Sequence, residues 1–336
     1  MDIVELDADN RDHVEAATEV RNTVASKDAP WVQQATLRSM QGMMKYGWDL
    51  EPGRYFGGFE GDRMVAFAAV HTTEWDNLAL AWLELQVHPD ARGRGHARSM
   101  RDHVEQVASA MGRTKLGSDA WDGSQGVAFA ERSGYVAASR AVNRRQHLAD
   151  VPLENIKGLY AEAEAAASAY ELVRIVGPTP DDLLDQVAEM SAAINDAPLD
   201  DLDIEDEVFA PQRVRDYENA TMLRGHRFYR LLARHRDTGE LAGHTIVAVD
   251  EERPEMGHQH DTSVVRSHRG HRLGLLLKGG MNLWLAQTEP QLQTVDTWNA
   301  ESNDHMIAVN ERLGYRWMAR EVQFQKTIPA SGDPLA

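Results

Sequence analysis

The stretch Val87-His88-Pro89-Asp90-Ala91-Arg92-Gly93-Arg94-Gly95-His96-Ala97 decides the reading of this chain. An apolar run ends at Val87, a loop rich in glycine and arginine follows, and Met100, Val104, Val107 and Met111 then recur at helical spacing. The first amides of a helix have no intrahelical acceptor. Together with the helix dipole they favour an anion, a pyrophosphate above all. Glycines let such a ligand approach the main chain. The G-x-G-x-x-G spacing of dinucleotide-binding folds is absent, as is the Gly-Lys-Ser/Thr ending of a P-loop.

Working outward, the chain repeats itself. Arg92-Gly93-Arg94-Gly95 recurs as Arg269-Gly270-His271-Arg272, and Asp119-Ala120-Trp121-Asp122 as Asp296-Thr297-Trp298-Asn299, both 177 residues on (92 to 269, 119 to 296). Glu131-Arg132-Ser133-Gly134-Tyr135 recurs as Glu311-Arg312-Leu313-Gly314-Tyr315, and Asp28-Ala29-Pro30 as Asp196-Ala197-Pro198. Four matches in one order, with drifting offsets, indicate a duplication with loop insertions. The expected domains are 1–150 and 171–336, joined by a helical connector over 151–170 that is rich in alanine and glutamate.

Each copy predicts the same layout. A helical region (about 11–45 and 180–223) precedes a hairpin turning at Gly61-Asp62 or Asp237-Thr238-Gly239. A strand follows (81–87 and 261–265), then the Gly/Arg loop, a helix, a short strand, a helix ending at Gly-Tyr and a last strand. This is a mixed α/β (α+β) class, a mostly antiparallel sheet flanked by helices, twice over.

Composition bounds the function. With 336 residues the chain has room for two cores. It has no cysteine, which excludes disulfides, thiolate metal sites and a cysteine nucleophile. The longest apolar run, Met64 to Val70, is too short to span a bilayer, and Met1-Asp2-Ile3-Val4-Glu5 is acidic where a signal peptide is basic. A cytoplasmic protein without membrane contact is expected. A formal charge of −18 opposes a nucleic-acid interface and favours cationic partners such as amines. Arg140, Arg144 and Arg145, a short basic cluster, read as a solvated strand edge. The histidines His244, His258, His260, His268 and His271 have no metal-ligand spacing, so no metal is expected, and His260 either assists the neighbouring Asp261 or faces solvent.

The loop resembles the acetyl-CoA pyrophosphate loop of the GNAT acetyltransferases, Gln/Arg-x-x-Gly-x-Gly/Ala, at every defined position of Arg92 to Ala97. The resemblance extends to Val87, to the Gly-Tyr endings and to the layout of both copies. It implies a tandem enzyme like mycothiol synthase, transferring acetyl from acetyl-CoA to a small-molecule amine by direct attack in a ternary complex. A non-catalytic acyl-CoA sensor or interaction protein is the alternative, and the protein is expected as a monomer or homodimer.

By that resemblance Val87, Arg92, Gly93, Arg94, Gly95, His96 and Ala97 would hold the first CoA, and Val264, Val265, Arg269, Gly270, His271, Arg272, Leu273, Gly274, Asn299 and Asn303 the second. The second copy departs from the pattern by placing Arg272 at the central glycine. Glu84 and Asp261, three residues before Val87 and Val264, stand where several members hold a general base; the alternative is an ordinary strand carboxylate. The family's thiol-protonating tyrosine is replaced by Asn310 and Ala130. Asn310 remains as a hydrogen-bond partner for sulfur. Copy two, keeping Asp261, Asn299 and Asn303, is expected to be the catalytic half. The acidic run 195–207 either recognises a polyamine-like acceptor beside copy two or is a solvated loop.

Overall fold

The computed structural model describes residues 1–329. In chain order its elements are β1 (Asp2–Glu5), α1 (Arg11–Asp28), α2 (Leu37–Tyr46), β2 (Arg54–Glu60), β3 (Arg63–His71), β4 (Leu80–Val87), α3 (His96–Ala110), β5 (Lys115–Trp121), α4 (Gln125–Arg132) and β6 (Val136–His147). Then come α5 (Leu153–Ala166), β7 (Tyr170–Val176), α6 (Asp181–Ser191), α7 (Pro211–Leu223), β8 (His226–His235), β9 (Leu241–Asp250), β10 (Met256–Val264), α8 (Leu273–Thr288), β11 (Thr294–Ala300), α9 (Asp304–Arg312) and β12 (Tyr315–Thr327).

Local chemistry sets several boundaries. The Asn10 side chain accepts from the amides of Asp12 and His13 and so starts α1. Thr36 and Ser39 close a reciprocal capping box on α2. Pro211 opens α7, where its missing N–H costs nothing. The long helical regions expected at 11–45 and 180–223 are each two helices. In the second, a 3₁₀ turn over Ala192–Asp196 and extended chain separate α6 from α7. β10 begins at Met256, five residues before the strand expected from Asp261.

The chain forms two compact units, and neither is a contiguous half. The first holds residues 1–140, 200–206 and 320–336, of which 330–336 lie outside the described residues; the second holds 141–199 and 207–319. The first unit's sheet runs β1-β2-β3-β4-β5-β12. The second's runs β7-β8-β9-β10-β11-β6. In each, β4/β5 or β10/β11 is the one parallel pair and the other neighbours are antiparallel, among the described residues.

The C-terminal part of each copy's last strand, from residue 141 in β6 and from residue 320 in β12, therefore lies in the other unit. Glu321 to Thr327 pair with Trp121 to Lys115, and Thr294 to Ala300 pair with His147 to Ala141. Arg144 and Arg145 are thus interior and not a solvated edge: Arg145 pairs Asp296 at 2.5 Å, and Arg144 is buried. The stretch 151–170 is no free connector. It holds α5, whose Ile156 and Ala163 join Leu276, Leu277 and Met281 of α8 in the second unit's core, and the first residue of β7.

Strand alternation distributes the faces. In the first unit Ala81, Leu83 and Val87 of β4 pack with Met100, Val104 and Ala108 of α3. Glu84, on the opposite face, meets Arg21 of α1 at 2.6 Å. A second core there joins α1, α2 and the other face of β2 and β3 through Val14, Val20, Met40, Met44, Tyr55 and Phe67.

Candidate active site

Parallel strands β4 and β5 pair only from Leu80↔Lys115 to Leu83↔Ser118. Beyond that they part, leaving Glu84 to Val87 and Asp119 to Trp121 without each other as ladder partners. The counterparts β10 and β11 part after His258↔Asp296. In the second unit the register of β10 also shifts between Gln259 and Thr262. Such a bulge re-aims side chains, and it brings both His260 and Asp261 towards α7. The first unit's β3–β4 ladder is regular from Ala66↔Val87 to His71↔Trp82.

The Gly/Arg loop follows each parting. Gly93 and Gly95 have φ of 76° and 90°, and a Cβ on either would meet nothing within 4 Å. Among the described residues the amides of Gly93, Gly95, His96 and Ala97 have no backbone acceptor. A concave, donor-lined helix entrance of this kind fits a pyrophosphate. Gly270 and Arg272 repeat the backbone at φ 87° and 57°. Arg272 thus holds a left-handed conformation that costs a non-glycine residue roughly 1 kcal/mol. Its guanidinium pairs with Glu162 of α5, which Arg312 also holds at 2.7 Å.

The first arginine of each loop has a different task. Arg92 donates to the Val87 carbonyl and forks onto Asp28 at 3.0 and 2.5 Å. Arg269 donates to the Val264 carbonyl and meets Asp196 at 2.6 Å, with Arg266 on the other oxygen. The repeated Asp-Ala-Pro is thus the anchor of each loop, tying the end of α1 or of the 3₁₀ turn to the strand. Arg94 lies 3.4 Å from Glu60, and buried His96 has its Nε2 3.0 Å from the same carboxylate.

On the α1 face of the first unit, Glu84 of β4, Asp119 of β5 and Glu321 of β12 converge. Arg21 and Gln86 hold Glu84, and the Trp82 indole donates to Asp119 at 2.9 Å. Glu321 has no hydrogen-bond or ion-pair partner among the described residues. Solvent reaches Asp119, yet protein surrounds it closely enough that desolvation raises its pKa, with Glu84 adding to the effect. Desolvation, then Asp119 and Glu84, push Glu321 up to about 8. Trp121, opposite Glu321 on the ladder, meets Trp31 edge-on at 5.2 Å.

The same positions differ in the second unit. Asp296 is bound by Arg145, and Asn143 stands opposite Trp298 where Glu321 stands opposite Trp121. Asp261 is crowded, and desolvation raises its pKa against the opposing effect of Arg230. His260 does not simply face solvent. Its Nδ1 shares a short hydrogen bond with the Tyr217 hydroxyl, and burial depresses its pKa. Beside them the buried Arg230 pairs with Glu218, which also accepts from Thr179.

Other expected site residues serve the fold. Asn303 caps α9 by accepting from the Met306 amide. Asn310, 0% exposed, donates to Asn299 at 2.7 Å and leaves its own carbonyl oxygen without a partner. Val87 and Val264 pack in the cores. Tyr135 and Tyr315 are buried as packing residues. The acidic run is split: Asp200 to Asp206 belong to the first unit. There Asp203 meets Lys115 at 2.6 Å, Glu205 exchanges bonds with Asn77, and Asp200 accepts from Ser139. Those three carboxylates are engaged within the first unit.

Sequence reasoning missed Arg21, Glu321, Tyr217, Arg230 and Glu218 as neighbours of the partings. Asp119 and Asp296 carried a signal, their repetition, without a role. No described group of His, Asp or Glu has a metal-binding arrangement, and no described helix is long and apolar enough to cross a membrane.

Residues 23–135 match the model of the Acetyltransferase (GNAT) family. No curated protein matches the sequence. Among solved structures, a tandem GNAT protein from the clavulanic acid biosynthesis pathway, in a form without AcCoA, is 26% identical, covers 98% of this chain and 99% of its own, and superposes with a TM-score of 0.80. A GCN5-related N-acetyltransferase from Sphaerobacter thermophilus (16% identity, 97% and 95% covered, TM-score 0.64) and a putative acetyltransferase from Pyrococcus horikoshii (14%, 99% and 91%, 0.59) share the fold.

Proposed function

Taking the chain as a tandem member of the GNAT acetyltransferase family, we propose that it moves the acetyl group of acetyl-CoA to a primary amine of a small molecule, and that the first unit is the transfer centre. The observation that carries this is the contrast between the loops. The glycine at φ 90° in the first is unobstructed, whereas Arg272 fills the same place in the second and is stapled to Glu162. The amides of Gly93 to Ala97 would bind the pyrophosphate. Arg92, engaged with Asp28, would hold the loop rather than the phosphate.

The parting of β4 from β5 frees main-chain groups to orient the thioester oxygen. Its α1 face presents Glu84, Asp119 and Glu321 against Arg21 as the one paired cation, a field that draws in an ammonium group. A carboxylate on that face takes the amine's proton. This reverses the expectation that copy two is the catalytic half. The second unit, with Asp261 crowded and Asn310 engaged by Asn299, supports a scaffold or a non-catalytic acyl-CoA-binding role better.

The test is release of CoA thiol from acetyl-CoA across a panel of primary amines. Saturable, amine-dependent release is expected. If acetyl-CoA binds and no amine raises release above the amine-free rate, the protein is an acyl-CoA-binding module and not a transferase.

A further inference from the structure

We propose that Glu321, supplied by the last strand of the second copy, is the proton acceptor of the first unit's acetyl-transfer site. The inference rests on the reading of that unit as the transfer centre. It replaces Glu84, the residue that strand position alone nominates.

Three observations separate the two carboxylates. Glu84 is engaged twice on one oxygen, its Oε1, by Arg21 at 2.6 Å and by Gln86 at 2.9 Å, so a cation and an amide already stand where an incoming ammonium would approach it. Glu321 has no partner among the described residues. Its place on the ladder opposite Trp121 lies beyond Leu83↔Ser118, where β4 leaves β5, so it stands beside the open part of the parting. Glu84 sits at the first residue past the last pair.

The groups around Glu321 favour a proton. Asp119 of β5 and Glu84 of β4 are like charges, while Arg21 of α1 answers Glu84. His71 of β3, near Glu84 and Arg21, is half-buried, and desolvation lowers its pKa. A carboxylate so placed is a stronger base than a free one, and pushed up to about 8 it is matched to an alkylammonium near neutral pH.

The step balances without a further reagent. An ammonium N–H gives its proton to Glu321, and the nitrogen lone pair forms the C–N bond to the acetyl carbonyl carbon. The C–S bond breaks with its electron pair on sulfur; the second proton of the newly bonded nitrogen passes through water to that sulfur, leaving a neutral amide, and Glu321 releases its own proton to solvent. Glu84, with Arg21, is then a positioning residue for the ammonium.

The full-length chain tests this in Glu321→Gln, Glu321→Asp and Glu84→Gln, assayed with acetyl-CoA and the most active amine of the panel. Glu321→Gln is expected to lower kcat at least 100-fold with unchanged acetyl-CoA affinity and to abolish the acid limb of the pH–rate profile. Glu321→Asp is expected to restore a tenth or more of the rate with that limb present. Glu84→Gln is expected to raise the amine KM more than it lowers kcat. A turnover-independent readout accompanies these: tryptophan fluorescence against pH, where wild type should show a transition near 8 that Glu321→Gln lacks. If Glu321→Gln turns over within threefold of wild type with the acid limb intact, the assignment is wrong while the transferase reading stands. If wild type acetylates no amine, the transferase reading fails and takes the assignment with it.

Discussion

The two units share a sheet order and a loop backbone and differ in how they treat charge at the same strand positions. The first leaves Asp119 to an indole N–H and Glu321 without a hydrogen-bond or ion-pair partner among the described residues. The second gives Asp296 an arginine at 2.5 Å, replaces the third carboxylate by Asn143, and buries Arg230 against Glu218. Frustrated carboxylates cost stability and are the pattern expected where a protein must handle a proton. Neutralised ones are the pattern of structure.

The largest effect expected from breaking this comparison is in the second unit. Glu218→Gln would leave the buried Arg230 guanidinium without its carboxylate, and loss of one partner of a buried pair costs about 3–5 kcal/mol. The urea midpoint should fall accordingly; an unchanged midpoint would show that Thr179 alone satisfies the arginine.

A matched pair sharpens the contrast. Asp296→Asn should destabilise by about 2 kcal/mol because Arg145 loses its charge-assisted bonds. Asp119→Asn should raise stability slightly, because it removes a like charge beside Glu321 and Glu84 while an amide oxygen still accepts from Trp82, and solvent at this exposed position screens most of the gain. Equal destabilisation by both would remove the distinction.

Acidification separates the units more gently. Burial drives the His244 pKa down to about 3, so folded His244 stays neutral while the unfolded chain, titrating near 6.5, gains a proton. The stability contribution is present above pH 6.5 and falls by about 1.4 kcal/mol per unit below it. Unfolding of wild type followed from pH 7 to 5 should show that slope, and His244→Asn should reduce it.

The smallest change in stability is expected for Arg272→Gly. It relieves about 1 kcal/mol of left-handed strain and gives up an exposed ion pair worth less than that. Its informative consequence is binding: opening the second loop should add a second acetyl-CoA site.

Much of this was legible in sequence. The duplication was read from spacing and the loop's departure at Arg272 from the resemblance to the family's pattern, and the mostly antiparallel α/β layout followed. The exchange of last strands was not, because alternation says which face a strand residue takes and not which sheet the strand joins. A trace existed in the charges: Glu105 of copy one is matched by Lys326 of copy two at 2.8 Å, and Asp122 by Arg320. Asp28 and Asp196 were visible as repeats, but their work as anchors of Arg92 and Arg269 depends on contacts 64 and 73 residues apart. Glu321 had no repeat partner to draw attention to it.

The central claim is that the first loop, and not the second, takes the pyrophosphate. Calorimetric titration of acetyl-CoA into wild type, Gly95→Glu and Gly270→Glu tests it most directly. The account predicts one site in wild type, none in Gly95→Glu and one of unchanged affinity in Gly270→Glu. Retention of binding by Gly95→Glu with its loss in Gly270→Glu would contradict it.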